Sequence, residues 1–475
     1  MKTSLVVAFA CAVFSLNAFG LSAAEAQTAA VTAAAEPRVQ PAVEGVLDAF
    51  KDHPIVALGD AHGVAEEGAF YNALISDRRF AREVGNVVVE FGGAAHQDVI
   101  DRYVAGEPVP YAELRRVWTD VVGWVPTVTL MEYMDFFAAV RAANAKSPPE
   151  QRIHVWLGEP AIDWSKIKTE ADLQPLFPLR NQHPAEILER EILAKGKKAL
   201  VIYGGGHFRT PASAGGDRSL DAQVEAAFPH SVFLVLPYEG FNEAPCSAAL
   251  EARATGWPVP ALVSPVKGTW LAGLLRAPGC TFLPGLPVIQ VLRPPQAAQM
   301  KSGDEDASGV KADAFLYLGA ADSLTLSPID PASYLDEDYF PEIGRRFQIM
   351  TGRPLDWSDW VAGNGRGTTK LSERYGRVAH RGTETALRRV IGEFSAGQVD
   401  YDRMGPDLAA LARKTLPNMH DKVSGLGAVR SIRFIGGSPP SADLYEVAQE
   451  HGVSRWMIAL DDEGRIEGLR LLPNP

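Results

Sequence analysis

Cysteine is scarce here. Three in 475 residues cannot staple a fold of this size, and no C-x-x-C spacing occurs, which sets aside a zinc ribbon and a thioredoxin-like redox centre. The H-E-x-x-H helix of a zinc protease is missing, as is the G-x-S-x-G elbow of a serine hydrolase. Neither glycine-rich phosphate signature, G-x-G-x-x-G or G-x-x-x-x-G-K-[ST], is found. With 46 Lys and Arg against 58 Asp and Glu, the net charge is −12 and no basic stripe breaks it. Nucleic acid and anionic membrane are therefore not expected partners. Beyond Leu21 no apolar run approaches the roughly 20 residues of a membrane-spanning helix.

The N-terminus has the layout of a secretory signal peptide over residues 1–26. Lys2 precedes an apolar stretch from Leu5 to Leu21, and Ala24-Glu25-Ala26 offers a cleavage site before Gln27. The mature chain is accordingly expected to be periplasmic or secreted. Cleavage leaves Cys246 and Cys280, separated by Pro/Gly-rich sequence. In an oxidising compartment they read as a disulfide closing a long loop, with two buried thiols as the alternative.

From about Pro37, apolar runs at 55–59, 87–91, 153–158, 199–204 and 231–237 alternate with helical patterns such as 131–146 and 184–195. That alternation predicts an α/β domain over 37–355, a mainly parallel sheet sandwiched by helices. Pro184 reads as a helix start. Residues 239–300 read as hairpin-like pieces, 301–311 as a charged loop, and 315–319 as one more strand. A linker over 356–381 carries Trp357 and Trp360. From Gly382 the pattern changes to two helices (383–396, 401–416) followed by strands at 429–435, 443–448, 454–460 and 465–471. This predicts a small α+β domain over 382–475, two helices and an antiparallel meander.

Two of the apolar runs end in Gly-x-x-His: Gly59-Asp60-Ala61-His62 and Gly204-Gly205-Gly206-His207. In an open α/β sheet the carboxyl ends of the strands form the ligand crevice, so a histidine delivered there twice points to a paired polar site. Glu90 follows Val87-Val88-Val89, and an ionised carboxylate in that setting must be paired or shifted in pKa. Glu159 and Asp163 follow the next run, and Arg180 and His183 lie at the approach to the following helix.

Two chemistries suit this set. In one, His62 activates water, Asp60 and Glu90 orient it, and His207 with Arg180 stabilises developing negative charge. In the other, His62, Glu90 and His207 hold a divalent metal (zinc, manganese or iron), which activates water itself.

The segments Gly59-Asp60-Ala61-His62-Gly63, Val87-Val88-Val89-Glu90 and Gly204-Gly205-Gly206-His207 together resemble the erythromycin esterase/ChaN/Tiki superfamily. Tyr103-Val104-Ala105-Gly106 looks like its esterase branch, although Asp60 stands where that branch has Glu. The resemblance covers roughly 37–355. It implies one of three roles: hydrolysis of an ester by activated water, metal-dependent proteolysis, or haem capture through His62 and His207. A small-molecule or peptide substrate follows from the first two. Residues 382–475 look like an accessory domain found behind secreted hydrolases.

Overall fold

The computed structural model describes residues 35–123, 130–209, 218–241, 244–277, 280, 312–330, 336–352, 354, 379–438, 442–461 and 463–472. The expected signal peptide (1–26), the charged loop (301–311) and most of the expected linker lie outside them.

Strands read as apolar runs are strands. They are β2 (Ile55–Asp60), β3 (Asn86–Gly93), β4 (His154–Glu159), β5 (Ala199–Gly204), β6 (Val232–Pro237) and β8 (Ala314–Tyr317), joined by two strands not read from the sequence, β1 (Arg38–Pro41) and β7 (Ala261–Ser264). They form one eight-stranded sheet in the order β1-β7-β8-β6-β2-β5-β3-β4. All its pairings are parallel except those of β7, which runs against both β1 and β8. Every residue of β2, β3 and β5 is buried. Such strands are covered on both faces and so read as unbroken apolar sequence.

Two cores result, one on each face. Val56 and Leu58 pack with α1 (Ala42–Ala49), α2 (Ala65–Ser76), α3 (Arg78–Glu83), α4 (Gln97–Ala105) and α5 (Met131–Asn144). Ile55 and Ala57, pointing the other way, pack with α6 (Leu179–Ile187) and, past the short α7 (Gly206–Arg209), with α8 (Leu220–Ala227), α9 (Ala244–Arg253) and α10 (Trp270–Arg276). Burying one such Val, Leu or Ile side chain contributes about 1.5–3 kcal/mol.

Two expectations for this sheet and its helices differ from the structure. Residues 244–276 hold helices α9 and α10 around the short β7, not hairpins. Cys246, on α9, is disulfide-bonded to Cys280. Pro184 lies inside α6, which begins five residues earlier at Leu179. Proline has no N–H for the carbonyl four residues back, and after Ile187 the helix widens into a π turn at Leu188–Ile192.

The C-terminal unit comprises α12 (Thr383–Ala396) and α13 (Pro406–Ser424), with α11 (Phe340–Thr351) preceding them, and a four-stranded antiparallel sheet. Its strands are β9 (Val429–Ser438), β10 (Ala442–Gln449), β11 (Gly452–Leu460) and β12 (Ile466–Leu472), in the order β12-β11-β10-β9. Leu387, Val390, Phe394, Trp456 and Ile458 form its own core. Helix α13 continues through Pro417 to Ser424, eight residues past the expected stop. No described helix is long and apolar enough to cross a membrane.

Candidate active site

Strands β2 and β5 lie side by side with Asp60 opposite Gly204. The chain leaves them toward opposite faces, into α2 on one and α8 on the other. A switch of this kind opens a crevice at the carboxyl ends of the strands, and His62, Glu90 and His207 all meet there.

Asp60 ends β2 with its carboxylate buried. Tyr71 Oη donates to Oδ1 at 3.0 Å, while Tyr133 Oη and His62 Nδ1 share Oδ2 at 3.1 and 2.6 Å. The imidazole is thereby fixed with Nε2 turned toward Glu90 Oε2, 3.7 Å away. Burial opposes protonation of His62, but the neighbouring Asp60 and Glu90 carboxylates outweigh it and raise its pKa to about 9. His62 is therefore an imidazolium at neutral pH. It stabilises the fold fully below pH 6.5, a contribution lost as pH climbs through about 9. We expect the His62 ring resonances to titrate near pH 9 by NMR, and Asp60→Asn to lower that midpoint by about one to two units. A midpoint near 6.5 in the unaltered protein would contradict the arrangement.

Glu90 owes its aim to an irregularity. β3 pairs regularly with β4 up to Val89↔Leu157 and resumes only at Gly93↔Glu159, and a bulge re-aims the side chains within it. The carboxylate then collects donors. Arg180 Nη2 (2.5 Å) and His207 Nε2 (3.1 Å) approach Oε1, and the Gly204 N–H donates to Oε2 at 2.5 Å. Burial alone raises its pKa, but His207, His62 and Arg180 together hold it well below the usual carboxylate range. Gly204 has no substitute here, because a Cβ would lie 2.7 Å from His62 Nε2 and 3.0 Å from Glu90 Oε2.

His207 Nδ1 is held by Asn181 Oδ1 at 2.5 Å, and its ring meets Tyr203 edge-on. Both ring nitrogens thus face acceptor oxygens. Arg180 spans two carboxylates, Glu90 and the fully buried Glu159, whose Oε1 it reaches through Nε at 2.6 Å. Glu159 Oε2 accepts the Val122 N–H at 3.0 Å. Burial raises the Glu159 pKa, with Arg180 opposing. Two Arg180 nitrogens are thereby occupied, so it acts through Glu90 as a positioning residue.

The remaining expected residues lie elsewhere. His183 Nδ1 bonds the Gly158 carbonyl at 2.8 Å. Asp163 is on the surface, bonded to Ser165 and paired with Lys166.

A second ring of groups surrounds these, of which Glu67, just after the first Gly-x-x-His, was visible in the sequence and Tyr71, Glu132 and Tyr133 were not. Glu67 Oε2 accepts the Ala61 N–H at 2.8 Å and Glu132 Oε1 the Gly63 N–H at 2.7 Å. These two buried carboxyls grip the loop on either side of His62. Burial, with repulsion from Asp60, raises both well above the usual carboxylate range. Tyr203 Oη, fully buried, has no hydrogen-bond partner among the described residues. A carboxylate on the inward face of a helix, as at Glu132 beside Tyr133, was the available signal.

The donors do not fit a metal ion as arranged. Among the described residues no group of three or more His, Cys, Asp or Glu side chains is disposed to hold one. Glu90 is spent on a guanidinium, an imidazole and a backbone N–H, where a ligand oxygen needs about 2.0–2.2 Å to the ion. Haem fits no better, because the Nε2 atoms of both His62 and His207 are directed at Glu90.

No protein-family model matches the chain, and no curated protein does. Two solved structures described as bacterial protein toxins are similar at 15% and 14% identity, over 46% and 45% of this chain, each with a TM-score of 0.29. This chain spans 40% and 39% of theirs. A Bacillus cereus protein is similar at 14% identity over 45% of this chain and 74% of its own, with a TM-score of 0.28. Scores this low carry no argument about function.

Proposed function

We propose that this protein is a hydrolase that activates water between His62, Glu90 and His207 without a metal, on an ester or amide substrate. The observation that carries the reading is the convergence of two imidazole Nε2 atoms on one buried carboxylate, at 3.7 and 3.1 Å, with each Nδ1 fixed by its own partner. The resemblance of the Gly-x-x-His segments to the erythromycin esterase/ChaN/Tiki superfamily points the same way, toward its esterase branch.

In this mechanism neutral His62 takes the proton of the attacking water on Nε2, and Asp60 stabilises the imidazolium that forms. Glu90 holds the water and faces the charge on His62. The tetrahedral oxyanion falls to the N–H of His207 Nε2, which must turn from Glu90 Oε1 to reach it. As the intermediate collapses and the bond to the leaving oxygen or nitrogen breaks, the His62 imidazolium returns its proton to that leaving group. Arg180 keeps Glu90 ionised and in place.

With a pKa of about 9, only about one His62 in a hundred is neutral at pH 7. A panel of aryl esters and lactones should reveal a substrate whose kcat/KM rises tenfold per pH unit and levels near pH 9. A rate that falls with rising pH, or a stoichiometric divalent metal in the purified protein, would overturn the mechanism.

A further inference from the structure

Three acidic side chains lie buried behind His62: Asp60, Glu67 and Glu132, at 3%, 1% and 8% exposure. Among the described residues no lysine or arginine is paired with Glu67 or Glu132. The charged groups that act most on Glu67 are themselves acidic, Asp60 at the end of β2 and Glu239 just past β6. A carboxylate in such a place must be paired or give up its charge.

The hydrogen bonds single out Glu67. Its Oε2 accepts the Ala61 N–H at 2.8 Å, but its Oε1 is buried with no partner among the described residues. Glu132 leaves neither oxygen stranded in this way. An ionised Oε1 would be a buried charge facing no donor, at the full desolvation cost. A protonated Oε1 needs only an acceptor, and the Tyr71 hydroxyl lies beside this carboxyl. That hydroxyl carries one proton between two carboxyls, and Asp60 Oδ1 takes it at 3.0 Å. The Tyr71 oxygen keeps lone pairs to accept another. A chain results from Glu67 through Tyr71 and Asp60 to His62, its last link the 2.6 Å contact of Asp60 Oδ2 with Nδ1.

We propose that Glu67 is a proton-bearing positioning residue for His62. Its carboxylic acid donates to Tyr71 Oη, which leaves the one Tyr71 proton committed to Asp60. The assignment concerns the surroundings of His62 and does not rest on the hydrolase reading.

The test is urea unfolding of the full chain at pH 4 and pH 7, unaltered and as Glu67→Gln. The carboxamide copies the acid, accepting from Ala61 and donating to Tyr71. A buried acid releases its proton on unfolding once the pH passes its ordinary value of 4.5. Through this group the unaltered protein is fully stabilised below that pH and loses stability above it, until the folded-state pKa is reached. Glu67→Gln has no proton to lose. Relative to the unaltered protein, its unfolding equilibrium constant is expected to fall about tenfold or more between pH 4 and pH 7. No change, or the rise that an ionised native Glu67 requires, would overturn the proposal. Tyr71→Phe takes a donor from Asp60 and is expected to raise the His62 NMR midpoint by about half a unit. An unmoved midpoint would put the Tyr71 proton on Glu67 and overturn it equally. Should either variant fail to fold, carbon NMR of the unaltered protein decides. Glu67 Cδ is expected at the shift of a carboxylic acid at pH 7, and the shift of a carboxylate would overturn the assignment.

Discussion

Arg180→Met is expected to destabilise the α/β unit by about 3–5 kcal/mol, the usual cost of removing one member of a buried ion pair. The side chain lies between Glu90 and Glu159, both nearly or wholly inaccessible to water. Without it two carboxylates face each other in a low-dielectric setting, and neither can be rehydrated. The cost is desolvation left uncompensated, not the worth of the pair itself. Arg180→Met with Glu159→Leu should therefore recover most of the loss. Urea unfolding followed by circular dichroism reads both, with an unchanged slope confirming that only stability has moved. The Arg79–Glu44 pair, open to solvent on both sides, is the control, since water and salt screen it. If Arg180→Met proved as mild as breaking that pair, the buried triad would not be the keystone of this crevice.

The second large effect concerns turnover. His62→Gln is expected to lower kcat/KM by about a hundred- to ten-thousand-fold, the range of a lost general base. Glu90→Gln should fall in the same range, and the double variant should be little worse than either, because residues acting as one unit are not additive. Gly204→Ala probes the same geometry without altering any titratable group. A methyl placed 2.7 Å from His62 Nε2 must push the imidazole or the carboxylate aside, so activity should drop by a similar factor while Asp60 and Glu90 remain intact. Full activity in Gly204→Ala would mean that His62 and Glu90 do not need their observed separation.

The parts of this fold that could be read from sequence share one physical property. Strands β2, β3 and β5 are buried on both faces, so their composition is uniformly apolar and the first polar residue after each run marks the sheet edge. Asp60, His62, Glu90 and His207 were visible for that reason. Tyr71, Glu132 and Tyr133 were not, because helical periodicity scatters a buried face among exposed residues and a single inward carboxylate looks like any other. Asn181, which fixes His207, sits among polar neighbours and carries no local mark. The misplaced start of α6 has another cause: Pro184 is a frequent first-turn residue, yet Pro178 immediately before the helix had already filled that role. The extension of α13 through Pro417 shows the same limit, since tertiary packing overrode a local breaker.

The strand order has a consequence for how the chain is made. β5 lies between β2 and β3 and contacts both, yet it is synthesised after both, about a hundred residues downstream of β3. Until it emerges, β3 has only β4 beside it and β2 has neither of its neighbours, β5 and β6, and Glu90 has neither the Gly204 N–H nor His207 to aim it. A nascent chain ending before β5 therefore holds β2 on one side of the site and the β3–β4 pair on the other, with no strand between them. The crevice is completed only by the insertion of its middle strand, so recovery of activity on refolding should track the docking of β5 between β2 and β3.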